Sequence, residues 1–158
     1  MKVTSLRTGF GRVDVCEEAE KVRGVVLTDD VTSSGDVPET ELSRELARYF
    51  AGERVDFSDH SVDFSGYTPF EVKVLRATRR IPYGEVRSYR EIAQAVGNPR
   101  AHRAVAYTLS KNRSCVVVPD HRVIEAAGRL GGFSAGMEWK VNLLQLEGAL
   151  REKPQAKA

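Results

Sequence analysis

Apolar and polar residues alternate at period two in three early stretches, "KVTSL" (2–6), "RVDVC" (12–16) and "GVVLT" (24–28). Each is predicted to be a half-buried strand, and "TSSGD" (32–36) a loop. The period then lengthens. "PETELSRELARYFAG" (38–52) sets Leu42, Leu46, Tyr49 and Phe50 on one helical face, with Gly52 beyond its end. The Asp/Ser/Gly-rich residues 61–67 read as a linker, and His60 beside it as a surface loop residue. Beyond the linker, "TPFE" (68–71) and "SYRE" (88–91) are capping boxes, each with a Ser or Thr three residues before a Glu. The first opens a helix to about residue 79, with Phe70, Val74 and Leu75 inward. The second opens a helix ending at Gly97. Asn98 then caps a predicted helix over 99–112, with Pro99 at its first position. A β-branched strand over 115–118, a glycine-rich loop (128–136) and a closing helix "MEWKVNLLQLEG" (137–148) complete the chain.

The order predicts an α/β protein of two units, an α+β domain over 1–60 and a helical domain over 68–150, followed by a short tail (151–158). Charge sharpens that division. Residues 1–66 carry 8 Lys/Arg against 14 Asp/Glu, whereas residues 67–150 carry 13 against 7. A reversal of sign between halves points to a polyanion as partner of the second half. The helix predicted over 99–112 contains Arg100, Arg103 and Lys111 and no acidic residue. With the preceding helix and its Gly-Asn turn it makes a helix-turn-helix signal. No apolar run approaches the roughly 18 residues of a membrane span, and the polar, basic start lacks a signal-peptide core. An intracellular protein is therefore expected, cytoplasmic or, in a eukaryote, nuclear. Cys16 and Cys115 have no CxxC spacing, so no zinc site is indicated and no metal or organic cofactor is called for.

The chemistry concentrates at "VVVPDHRV" (116–123). A proline after a buried run forces a sharp exit, leaving Asp120, His121 and Arg122 side by side. Adjacent carboxylate and imidazole could form an ion pair, which would raise the histidine pKa. Glu147 stands in the last turn of the closing helix, where the helix dipole disfavours a carboxylate unless something cationic compensates it.

Residues 68–149 resemble the C-terminal domain of the O6-alkylguanine-DNA alkyltransferases. The likeness rests on separated blocks in order: "TPFEVKVLRATRRIPYGEVRSYREIA", "GNPRAHRAV", "KNRSCVVVPDHRV", "GRLGGFSAG" and "KVNLLQLEG". It implies a winged helix-turn-helix domain that enters the minor groove of duplex DNA and flips an alkylated guanine into a pocket. It also implies a ribonuclease-H-like first domain. Arg103 then matches the family's arginine finger, with Ser88, Arg100 and Lys111 as further DNA contacts. Tyr89 matches the tyrosine that turns the 3′ phosphate. Asn112 matches the asparagine joining the helix-turn-helix to the active-site strand. His121 matches the histidine that activates the nucleophile through water, and Glu147 the carboxylate that orients it. Phe133 replaces a frequent tyrosine of the base-covering loop, while Val123 and Ser134 match backbone contacts to the base edge. A monomer suffices for these roles, and other repair proteins are possible partners.

One residue departs from the pattern. The family motif reads Pro-Cys-His-Arg, and here it is Pro119-Asp120-His121-Arg122. The cysteine is the alkyl acceptor, and a carboxylate is a poor nucleophile toward an alkyl carbon. Cys115 is five residues away, roughly 16 Å along an extended strand and on its opposite face, so it reads as a packing residue. Asp120 thus leaves three readings: a lesion binder without transfer, an alkyltransferase whose nucleophile has been lost, or an aspartate that forms a hydrolysable ester. A transcription regulator with a dead pocket is the rival from another class.

Overall fold

The computed structural model describes residues 1–150 except 31 and 33; the tail 151–158 and Ser33 of the "TSSGD" loop lie outside the described residues. The early alternation folds into an antiparallel meander of β1 (Lys2–Arg7), β2 (Arg12–Glu18) and β3 (Lys21–Thr28). Register pairs Leu6 with Val13 and Val15 with Val25, so apolar side chains line one face. β3 begins three residues earlier than the pattern suggested, because Ala19 and Glu20 make a two-residue turn with positive φ (52° and 62°). α1 (Glu41–Phe50) starts at a Thr40/Ser43 capping box and lays Leu42, Leu46 and Tyr49 on that face.

The stretch predicted as a linker contains a strand. β4 (Ser61–Val62) pairs in parallel with Lys21 and Val22 of β3. His60 is likewise not a free loop residue; it is half-buried and its Nε2 hydrogen-bonds to the Glu45 carboxylate of α1. These contacts pin the segment between the two halves to the first sheet and to α1.

In the second half, α2 (Pro69–Arg79) and α3 (Tyr89–Ala95) begin at the two capping boxes read from sequence. α4 is shorter than expected, spanning His102–Ser110. Pro99 lies in a turn closed by the Ala101 N–H on the Asn98 carbonyl at 3.0 Å. Arg100 therefore stands in the turn before α4, and Lys111 at its end. Ser88, the last residue of β5 (Arg87–Ser88), caps α3, and β5 pairs in parallel with β6 (Val123–Ile124). α5 (Met137–Leu146) closes the fold.

Two cores result. Val74, Leu75, Ile92, Val105, Leu109, Val118 and Val123 pack among the helices. The other core joins the sheet and α1 to Cys115, Val116, Val117, Trp139 and Leu143 from the second half. The halves thus share buried surface, and the residues before Asp120 lie in it. Among the described residues, no helix is long and apolar enough to cross a membrane.

Candidate functional site

The predicted strand over 115–118 is instead two tight turns. Cys115 is bound to β3 through its N–H on the Val25 carbonyl at 3.2 Å. The chain then reverses at Val116, whose φ of 72° is accompanied by a 2.9 Å bond from the Val117 N–H to the Cys115 carbonyl. That is a γ-turn of the rare positive-φ kind, and a β-branched residue makes it strained. Pro119 (φ −83°, ψ 65°) makes a second γ-turn of the common hand, closed by the Asp120 N–H on Val118 at 2.8 Å. Asp120–Arg122 follow as one 3₁₀ turn, all three side chains buried. The extended separation expected between Cys115 and Asp120 does not exist, since the turns fold the chain back. Cys115 is nonetheless a core residue. Burial pushes its thiol far above the ordinary range, Asp120 adds to this, and its side-chain hydrogen-bond contact is with Ser134 Oγ at 3.9 Å.

Glu147 is the hub. Its Oε2 accepts from Tyr49 Oη (2.5 Å), His121 Nε2 (2.7 Å) and an Arg122 terminal nitrogen (3.0 Å). Its Oε1 accepts from Arg122 Nε (2.8 Å) and the Gly84 N–H (3.1 Å). Burial alone would raise this carboxyl, but the hydrogen bonds from His121 and Arg122, with the guanidinium charge of Arg122, outweigh it and hold it well below the usual range. The glutamate that the helix dipole disfavours is compensated by five donors. Gly84 makes one of these possible: its φ is 78°, and a Cβ there would sit 3.1 Å from the Glu147 carbonyl.

His121 is fully buried. Burial lowers its pKa, and the charges of Arg122 and Lys140 add to this against the pull of Glu147. The imidazole is therefore neutral at neutral pH. With an ionised Glu147 accepting, Nε2 carries the proton and Nδ1 keeps its lone pair. Nδ1 is buried with no hydrogen-bond partner among the described residues. The expected Asp120–His121 ion pair is not formed, and the histidine shift runs the opposite way to the one that pairing required.

Asp120 turns to Asn112 instead. The Asn112 amide donates to Asp120 Oδ1 (2.9 Å) and to the Val118 carbonyl (3.0 Å), and accepts from the Ser114 N–H (3.0 Å). Burial pushes the Asp120 carboxyl up to about 7, against the Asn112 bond and the charge of Lys140. Lys140, with no exposed surface, is drawn down to about 8 by burial. Its ammonium donates to the carbonyls of Val123 (2.8 Å) and Gly132 (3.0 Å), tying the glycine-rich loop to β6. The Val123 carbonyl is thus already engaged. Gly131 passes so close to Tyr89 that a Cβ would meet its hydroxyl at 2.8 Å. Phe133 packs edge-on to His121, centroids 6.4 Å apart.

The residues predicted for DNA contact lie elsewhere. Arg100 and Arg103 are exposed and, among the described residues, make no ion pair. Beside them Tyr107 is 64% exposed, a large ring left in solvent on α4. Lys111 differs: it is paired with Glu71 and lies over the Tyr107 ring. Sequence reasoning missed Tyr49, Lys140 and the double bond of Arg122 to Glu147. For Lys140 a signal existed, since its neighbours Trp139, Leu143 and Leu144 mark its face of α5 as buried.

A meander sheet with one long helix, docked to a capped helical domain around a buried carboxylate–imidazole–guanidinium cluster, defines the class: a mixed-sheet α/β protein with its site between helix-turn-helix and closing helix. A family model, the DNA-binding domain of 6-O-methylguanine DNA methyltransferase, matches residues 69–149. The chain belongs to that family. The methylated-DNA–protein-cysteine methyltransferase of Methanosarcina acetivorans is 47% identical over 109 residues, 69% of this chain and 69% of that protein. That of Mycobacterium leprae is 47% identical over 107 residues, 68% of this chain and 64% of that protein. The matched segment thus spans about two thirds of these relatives. Over a longer span, the crystal structure of Mycobacterium tuberculosis OGT in complex with DNA superposes with a TM-score of 0.79 at 34% identity, covering 92% of each chain.

Proposed function

We propose that this protein binds duplex DNA, receives a flipped O6-alkylguanine between the glycine-rich loop and the Asp120 turn, and holds it without stable alkyl transfer. Residues 1–60 are read as the ribonuclease-H-like unit and residues 68–150 as the winged helix-turn-helix domain that carries the site. The observation that carries this reading is the pairing at one place of a complete base-activating cluster with a carboxylate where the family's acceptor cysteine belongs. Glu147 orients a neutral His121 with a free, buried Nδ1, which is what removing a proton from a thiol would need. Asp120 has no such proton to give at high pH, and its oxygens are hard, weak nucleophiles. Arg103, exposed and unpaired on α4, is read as the finger that fills the gap behind the flipped base. Tyr89 is read as the phosphate contact, and Ser88 and Arg100 as helping to hold the backbone. The Glu71 pairing argues for a smaller DNA role for Lys111.

Equilibrium binding tests the reading. Labelled duplexes with one O6-methylguanine or guanine in the same place are titrated with the protein, and the lesion is assayed afterwards. Preference for the lesion in any sequence context, with the lesion persisting, is expected. Arg103→Ala should weaken that binding by about tenfold, while Arg44→Ala, on the far helix α1, should not. Preference for one undamaged sequence instead would favour a transcription regulator.

A further inference from the structure

A second concavity lies where the segment Arg54–Phe64 meets α2 and the turn after it. It encloses about 1090 Å³, and neither the base-activating cluster nor the exposed Arg100 and Arg103 account for it. Its walls carry Lys21, Arg54, Arg76, Arg79 and Arg80 against two carboxylates, Asp56 and Asp59. Among the described residues, Lys21, Arg54, Arg76 and Arg80 make no ion pair. Arg79 spends its donors on the carbonyls of Phe57 and His60, both at 2.9 Å, and so keeps its net charge. Two guanidiniums are preset by stacking, Arg54 over Tyr83 at 5.3 Å and Arg76 over Phe64 at 5.8 Å. The floor is Arg122, which gives three of its five N–H groups to Glu147 and the Ile81 carbonyl.

We infer that this cleft docks an acidic peptide segment of a partner protein, one in which carboxylates alternate with apolar side chains. Guanidiniums held in plane suit bidentate capture of carboxylates. Val55, Val62, Ile81 and Pro82 lie between the charges and suit apolar side chains on the same segment. A nucleic acid fits less well. Arginines already lie over the rings of Tyr83 and Phe64 and compete with bases for stacking there, and Asp56 and Asp59 oppose a strand charged at every residue. An occupant would also touch the floor residue Arg122, and through Glu147 it would be felt at His121.

The test is fluorescence anisotropy with a labelled short peptide alternating glutamate and leucine, and the same peptide with glutamine for glutamate. The acidic peptide is expected to bind in a salt-sensitive manner and the glutamine peptide not. The triple variant Arg54→Glu, Arg76→Glu, Arg80→Glu should weaken binding by at least about tenfold, with lesion-duplex binding unchanged. The wild-type His121 ring signal should shift on peptide addition in nuclear magnetic resonance spectra. Equal binding by both peptides, no binding, or an unaffected triple variant overturns the proposal. So does displacement of the peptide by plain duplex, oligothymidylate or inorganic triphosphate at lower concentration than the peptide itself, which would make this a phosphate site. If the triple variant fails to fold, Arg76→Gln and the His121 signal decide: a weaker complex with a retained shift supports the cleft, and neither change rejects it.

Discussion

Two buried carboxylates belong to the site, Glu147 bonded to His121 and Asp120 beside it in the chain, and they differ in almost everything else. Glu147 receives five hydrogen bonds, two of them from one guanidinium, and stays ionised far into acid. Asp120 receives one side-chain hydrogen bond, from a neutral amide, and burial brings its carboxyl to about 7. The same functional group is locked as an anion at Glu147 and is easily protonated at Asp120. Position in the fold, not residue type, sets the charge. The Glu147 side is built around its charge, whereas among the described residues Asp120 has no cationic hydrogen-bond partner. That asymmetry is what an acceptor thiol replaced by a carboxylate would leave behind.

Breaking the Glu147 side should have the largest effect. Glu147→Gln leaves the Arg122 charge buried without its partner and should cost about 3–5 kcal/mol at pH 7 by chemical denaturation. Because the folded-state pKa of Glu147 is depressed, its contribution is present above about pH 4.5 and is lost as pH falls. The gap between wild type and variant should therefore close in acid; a constant gap would argue against an ionised Glu147. On the other side the sign reverses. The folded Asp120 carboxyl, raised to about 7 from 3.8, disfavours folding as pH rises through that window. Asp120→Asn should thus stabilise the protein by about 2–4 kcal/mol at pH 8 and by almost nothing at pH 4. A thermal-unfolding series that shows no pH-dependent gain would contradict the contrast. Tyr49→Phe is the smallest step, removing one charge-assisted bond at a cost of about 1.5 kcal/mol, and no loss at pH 7 would mean that the hydroxyl does not support Glu147.

How legible this was in the sequence depends on the range of the interactions. The capping boxes at Thr68 and Ser88 are local, three-residue signals, and both helices start where they stand. The Glu147 anomaly was visible because a carboxylate at a helix end conflicts with the dipole, and the partner assigned to it, His121, is one of the four residues that donate to it. Tyr49 was not visible, because its hydroxyl meets Glu147 from 98 residues away and its ring fits the α1 core pattern unaided. The run of valines before Pro119 misled for a related reason. β-Branched residues predict a strand, but tertiary packing against β3 forces Val116 to positive φ and the chain into turns. The expected Asp120–His121 pair failed because adjacency in sequence places neighbours on a 3₁₀ turn without pointing them at each other. Asn112 and Glu147 claimed the two groups first.

The central claim is that the cluster around His121 remains competent and that Asp120 alone withholds the acceptor. The most direct measurement is intact-protein mass after mixing excess wild type, or the variant Asp120→Cys, with a duplex bearing one O6-methylguanine. One added methyl on the variant, on the new cysteine, with wild type unmodified and its lesion intact, is the predicted result. A variant that binds the lesion yet gains nothing, or a wild type that removes the methyl group, would contradict it.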